Sequence, residues 1–200
     1  MGLNELTFVQ TPNTEPARSA EFTTFMRAYQ DMVFSTATRL LGNDAQAEDI
    51  AQEVFVRAYA HFDELRGSKT SGGWLKTVTT NLSINYLQRH RRRWRLFSEI
   101  EPMHEEEEPA HFDVPDTQQT LPAALDTEQQ RALIEKSLQE LPPDQRAALV
   151  LYHFEDLSYQ EIAKLLRASL GKVKTDIHRA RIALLPLLQA SGVDRRGLED

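Results

Sequence analysis

From Ser98 to Glu128 the chain carries no Lys or Arg, glutamates run unbroken from Glu105 to Glu108, and prolines recur at Pro102, Pro109, Pro115 and Pro122. Like charges repel along such a stretch, there is little apolar surface to bury, and each proline fixes φ, so residues 97–125 are expected to form an extended acidic linker. A chain of 200 residues cut at that point should fold as two small units, each with a modest core. The rest of the charge is sorted as well. Arg89, Arg91, Arg92, Arg93 and Arg95 cluster before the linker, and Lys172, Lys174, Arg179 and Arg181 cluster after it. The formal net charge of −7 therefore does not argue against a nucleic-acid partner, because association responds to local potential rather than to the sum.

Outside the linker the apolar spacing is helical throughout. Phe22, Phe25, Met26, Tyr29, Val33, Ala37 and Leu40 fall on one stripe that Gly42 can terminate. Residues 1–20, rich in Thr, Pro and Asn without periodicity, are expected to be a flexible leader. Asn43 and Asp44 are caps for a second helix with Ala47, Ile50, Ala51, Val54, Phe55, Ala58 and Phe62 on its inner face. The segment from Asp63 to Gly73 reads as a loop, and a third helix is expected from about Trp74, burying Leu75, Val78, Leu82 and Tyr86. Beyond the linker, Thr127 with Gln130 and Ser158 with Glu161 are capping boxes, and Pro142 with Pro143 separates two helices. Ala147, Val150, Leu151 and Phe154 form one inward set, and Val173, Ile177, Ala180 and Leu184 another. No strand pattern or internal repeat is evident, so the expected fold class is all-α.

Three surfaces stand out. On the third helix Thr77, Asn81, Asn85, Gln88 and Arg92 step at helical spacing, a ridge of hydrogen-bonding groups grading into positive charge at Arg89 and Arg92. Asn and Thr are mediocre helix formers, and amides can bond unpaired base edges while arginines hold phosphate. The helices around Ser169 match a helix-turn-helix, whose longer second helix enters the major groove. Lys174, Thr175 and His178 are then candidates for base edges, with Lys172, Arg179 and Arg181 nearer phosphate. Asp49, Gln52, Glu53 and Val56 lie opposite the apolar face of the second helix, as the wet side of an amphipathic helix or a docking stripe for a basic protein.

Other classes are disfavoured. The histidines (His61, His90, His104, His111, His153, His178) lack metal-ligand spacing, no Gly-rich phosphate loop is present, and the carboxylates lie on wet faces or in the linker. No cofactor, metal or enzymatic activity is expected. The absence of cysteine suits a reducing compartment, and neither a secretory signal nor a membrane-length apolar run is evident, so a cytoplasmic protein without an integral membrane segment is expected.

The strings AEDIAQEVFVRAY (47–59), GWLKTVTTNLSINYLQRHRRR (73–93), LPPDQRAALVLYHFEDLSYQEIAKLL (141–166) and VKTDIHRAR (173–181) closely resemble the extracytoplasmic-function group of bacterial RNA polymerase sigma factors. The resemblance implies a region-two-like domain over 21–96, the linker, a region-four-like helix-turn-helix domain over 126–190 and a tail over 191–200. It implies core RNA polymerase and promoter DNA as partners, together with an anti-sigma factor. Asp49, Gln52, Glu53 and Val56 fall where the family meets the polymerase clamp. Asn81 and Asn85, with Gln88, Arg89 and Arg92 beyond them, fall at the separated strand of the −10 element, and the 63–73 loop falls at a pocket for a flipped base. The helix-turn-helix would read the −35 element. The chain departs from the family pattern at Arg167, where a small residue or Gly is usual, at Lys172, commonly Thr, and at Asp176, often Arg. On the residues alone two other readings stay open: a helix-turn-helix regulator acting without polymerase, and an adaptor that binds a basic partner.

Overall fold

The computed structural model of the chain describes residues 14–98 and 128–190, which leaves the acidic linker almost entirely outside the described residues. The described residues hold eight helices and no strand: α1 (Thr14–Leu41), α2 (Asp44–Ala60), α3 (Phe62–Leu65), α4 (Ser71–Ser98), α5 (Glu128–Gln139), α6 (Pro143–His153), α7 (Tyr159–Leu166) and α8 (Leu170–Ala190).

α1 packs against α2 and α4 in the N-terminal half. It opens at Thr14, inside the stretch read as a leader. Pro16 is tolerated there because the first turn needs no intrahelical donor. Contacts remote in sequence also hold this end: Arg18 lies over the Tyr59 ring at 4.7 Å, and Glu21 pairs with Arg66 at 2.7 Å. Phe22 meets Tyr59 and Phe62 edge to face at 4.9 and 5.2 Å, the geometry that ring quadrupoles favour. Gly42 ends α1 at φ +64, and its N–H returns to the Thr38 carbonyl at 2.7 Å. Asn43 caps α2 by accepting from the Gln46 N–H at 3.0 Å. The segment expected to be a plain loop contains the short α3 and the first turn of α4. Ser71 brings this about: its hydroxyl donates to the Leu65 and Ser68 carbonyls, each at 2.7 Å.

The C-terminal half surrounds α6, against which α7 and α8 pack. Pro143 occupies the first turn of α6, and Ser158 with Glu161 forms a full capping box on α7. Thr127 of the other expected box lies outside the described residues. α6 differs from its sequence reading. Instead of one inward stripe, Arg146 and Ala147 through Leu151 are all buried, because α1 covers the face that α7 and α8 leave open. Leu40 and Ile84 from the N-terminal half join the core of the C-terminal half, so the two units, expected to be separate, lie against each other.

α4 has a second buried face for the same reason. Beside Leu75, the residues Thr79, Thr80, Ser83 and Ile84 are buried. Lys76 Nζ donates to the Phe154 carbonyl at 2.8 Å and pairs with Glu155 at 3.4 Å. Burial pushes the Glu155 carboxyl above its usual range, against the pull of Lys76 and Thr80.

Candidate nucleic-acid and polymerase interfaces

Helical phase decides which side chains reach solvent. On α4, burial of Leu75, Thr79 and Ile84 turns Thr77, Asn81, Asn85 and Arg89 outward, all exposed. The ridge expected from the sequence is therefore present through Asn85. Gln88 turns inward, and its amide donates to the Leu165 carbonyl of α7 at 2.8 Å. Arg92 continues along α4, with its side chain outside the described residues.

In the helix-turn-helix, α7 ends at Arg167, whose φ of 54 and ψ of 45 place it in the left-handed region. Glycine adopts that conformation freely, while another residue gives up about 1 kcal/mol or more, so Arg167 strains this turn. Its N–H caps Lys164, and the Ala168 N–H reaches the Ala163 carbonyl at 3.0 Å. Ser169 Oγ then accepts from the Lys172 N–H at 3.2 Å as α8 begins. Val173, Ile177, Ala180 and Leu184 are buried, which leaves Lys174, His178 and Arg179 exposed and Thr175 half-buried on the outer face.

Lys172 and Asp176 pair with each other. Lys172 Nζ lies 3.1 Å from the Asp176 carboxylate, one turn along, and 3.4 Å from Asp144 on α6. Asp176 is 7% exposed, so this carboxylate holds a lysine instead of facing phosphate. Arg181, read from the sequence as a phosphate contact, lies over the Tyr152 ring at 5.3 Å and donates from Nε to His153 Nε2 at 3.3 Å. Burial first, and the Arg181 charge second, lower the His153 pKa to about 4. The ring is therefore neutral at pH 7, with Nε2 free to accept. Sequence reasoning missed this pair because two basic residues give no pairing signal.

On α2, Asp49, Gln52, Glu53 and Val56 are all exposed. Glu53 pairs with Arg57 at 2.8 Å, and Val56 is 67% exposed. Gln52 and Val56 border a groove of about 800 Å³ between α1 and α2, floored by Phe22, Met26, Phe34, Phe55 and Tyr59 and edged by Asp31 and Glu48. The neutral members of the stripe thus line an apolar trough whose acidic edge is Asp31 and Glu48, with Asp49 and Glu53 beyond it on the exposed side of α2. The floor escaped the sequence reading because Phe22, Met26 and Phe55 sit on stripes that read as core, while Phe34 and Tyr59 lie on neither stripe.

Two family models match the chain in order: Sigma-70 region 2 over residues 14–93 and Sigma-70, region 4 over residues 127–184. The ECF RNA polymerase sigma factor SigW of Bacillus subtilis is 33% identical over 165 residues, covering 82% of this chain and 86% of SigW. The chain belongs to the ECF sigma factor family. SigE of Mycolicibacterium smegmatis is 36% identical over 156 residues, and the match spans 78% of this chain and 57% of SigE, so the chain spans little more than half of that longer relative. Among solved structures, the sigma factor RpoE of Bartonella quintana, in complex with the anti-sigma factor NepR, aligns with a TM-score of 0.45 and 24% identity, over 88% of this chain and 99% of that one. The match to region 2 starts where α1 starts. The match to region 4 spans α5 to α7 and most of α8. Among the described residues no helix is long and apolar enough to cross a membrane.

Proposed function

We propose that this ECF family member binds core RNA polymerase in the cytoplasm and directs it to promoters, with no catalytic step of its own. The observation that carries the reading is the division of each reader helix. α4 exposes Asn81, Asn85 and Arg89 while it buries Leu75 and Ile84, and α8 exposes Lys174, His178 and Arg179 while it buries Val173 and Ile177. In this reading Asn81 and Asn85 hold unpaired bases of the −10 element, and Gln88, Arg89 and Arg92 extend the contact along the strand. Lys174, Thr175 and His178 meet base edges of the −35 element, with Arg179 on the backbone. Lys172, already paired twice, contributes to turn geometry more than to phosphate binding. The groove of α1 and α2, lined by Gln52 and Val56 and flanked on α2 by the exposed Asp49 and Glu53, takes the clamp of the polymerase: Val56 and the aromatic floor supply apolar area, and the carboxylates supply steering. The same groove is the surface that an anti-sigma factor would cover.

Transcription with purified core polymerase on promoter fragments selected by the chain tests this. Selective initiation is expected, and initiation no more selective than that of core alone overturns the reading. The double variant Asn81→Ala, Asn85→Ala should lower open-complex formation while leaving core binding intact, and Glu53→Arg should lower core binding in a competition assay.

A further inference from the structure

We infer that Arg167, in the turn of the helix-turn-helix, is a further phosphate contact on the −35 duplex, and that the chain keeps a strained backbone there to present it. The inference rests on the reading that α8 enters that duplex.

Among the described residues two that are not glycine have positive φ, Asp156 at 52 and Arg167 at 54. They differ in what that conformation asks of them. Aspartate is one of the few side chains that visit the left-handed region readily, through a short polar group that bonds locally, whereas arginine has no such group near its backbone. The Arg167 backbone is nonetheless pinned: its N–H reaches the Lys164 carbonyl at 3.3 Å, and the Ala168 N–H reaches the Ala163 carbonyl at 3.0 Å. Strain persists where the surrounding structure fixes it, and an observed outlier points toward function. The fold itself makes no use of the side chain. Arg167 is exposed, and among the described residues its guanidinium has no hydrogen bond or ion pair.

Its place in the motif directs it to a duplex backbone. Ala168 packs against the core of region 4, and its neighbours Arg167 and Ser169 both turn outward. Ser169 Oγ accepts from the Lys172 N–H at 3.2 Å and α8 begins at Leu170, so Arg167 stands just ahead of the reading helix. An α-helix with its side chains is about 10–12 Å across and fills a major groove about 12 Å wide. A cation beside the mouth of that helix therefore meets the phosphate ridge, while the base edges are reached from inside the groove by Lys174 and His178.

The charges nearby agree. Asp144 and Asp176 hold Lys172 at 3.4 and 3.1 Å. Glu161 accepts from the Ser158 N–H and hydroxyl at 2.8 and 2.7 Å in the capping box. Each of these carboxylates already has a partner, and Lys164, Arg167, Lys174 and Arg179 stand exposed on the motif. Arg167 thus supplies at the turn the positive charge that Lys172, neutralised against α6 and α8, does not deliver to the duplex. Its planar fork of donors suits a phosphate in particular.

Holoenzyme reconstituted from core polymerase and the full-length chain, bound to a promoter fragment that the chain selects, tests this by titration with salt. Arg167→Asn removes the cation at a residue type that tolerates the left-handed region, so its thermal midpoint by circular dichroism should be no lower than that of the unsubstituted chain. Its affinity should fall all the same. The slope of log affinity against log salt should be shallower by about 0.9, so the ratio of the two affinities shrinks about 3.5-fold between about 50 and 200 mM salt. Arg167→Lys, which keeps the charge, should keep the slope. The loss should be equal on the selected −35 sequence and on one with a mismatched base pair, because a phosphate carries no sequence information. Neutral methylphosphonates placed one at a time along the −35 segment should reveal a position that weakens the unsubstituted chain and leaves Arg167→Asn unchanged. Equal slopes, a thermal midpoint that falls together with the affinity, a loss confined to one base sequence, or no such methylphosphonate position overturns the inference. If the unsubstituted holoenzyme selects no promoter, the functional reading fails, and the two salt slopes on an arbitrary duplex still decide Arg167.

Discussion

The two halves build small helical cores from different side chains. Region 2 locks α1 to α2 and α3 with rings: Phe22, Phe25, Tyr59 and Phe62 meet at centroid distances of 4.9 to 6.0 Å. Region 4 is aliphatic inside, with Leu138, Leu149, Leu151, Ile162, Ile177 and Leu184 buried, and its rings Tyr152 and Tyr159 stack at the margin at 4.9 Å. Ring packing fixes direction as well as volume. Two of these rings, Phe22 and Tyr59, are half-buried on the floor of the groove between α1 and α2. Region 4 instead places its polar investment at the margin, where His153, Arg181 and Tyr152 tie α6 to α8. The difference makes region 2 sensitive to loss of a ring and region 4 sensitive to acid.

The largest expected effect is in the ring cluster. Phe62 is 1% exposed, and Phe62→Ala should cost about 3 to 5 kcal/mol, by lost transfer energy and a residual cavity. Both tryptophans, Trp74 and Trp94, lie in the N-terminal half, so denaturant unfolding followed by their fluorescence reports region 2 directly. A cost below about 1 kcal/mol would break the claim that the rings hold this half.

Acid comes next. The His153 pKa is lowered from 6.5 to about 4 in the folded chain, so the unfolded chain binds the extra proton between those values. Stability from this group is complete above pH 6.5 and is lost as pH falls toward 4, about 3 kcal/mol in all. Circular dichroism should show helix loss in region 4 at a pH where tryptophan fluorescence still reports folded region 2. His153→Gln, which cannot take up the proton, should flatten that dependence, and an unchanged slope removes the asymmetry.

Caps should act alike in both halves. Ser158→Ala and Asn43→Ala each remove a side-chain acceptor from a helix start and should cost about 1 kcal/mol. Unequal costs would show that one half is buffered by its neighbour. The smallest effect belongs to the reader face: Asn81→Ala, at an exposed ridge position, should change stability by less than about 0.5 kcal/mol. A larger loss would mean that the ridge is structural.

Elements that face one core were legible in the sequence. The apolar face of α2, the Asn43 cap, the Ser158 box and the inward set of α8 stand where periodicity and capping chemistry put them. Elements that serve two partners were not. α6 and α4 each bury a second face, and a single-stripe reading has no term for a neighbour from the other half. Arg146 is the sharpest case, since nothing local distinguishes an arginine on a wet face from one seated in another helix's carbonyls. The candidate reader residues were legible because exposure follows from helical phase. Gln88, Lys172 and Arg181 escaped it, each held by groups distant in sequence or by a carboxylate one turn away.

The doubly held Lys172 bears on ionic strength. Each phosphate contact that displaces a condensed counterion adds about 0.9 to the slope of log affinity against log salt. A lysine already neutralised by Asp144 and Asp176 displaces none, which leaves Lys174 and Arg179 as the exposed cations near the start of α8. Grip on the upstream duplex should therefore decay more gently with added salt than a tally of basic residues along this helix implies.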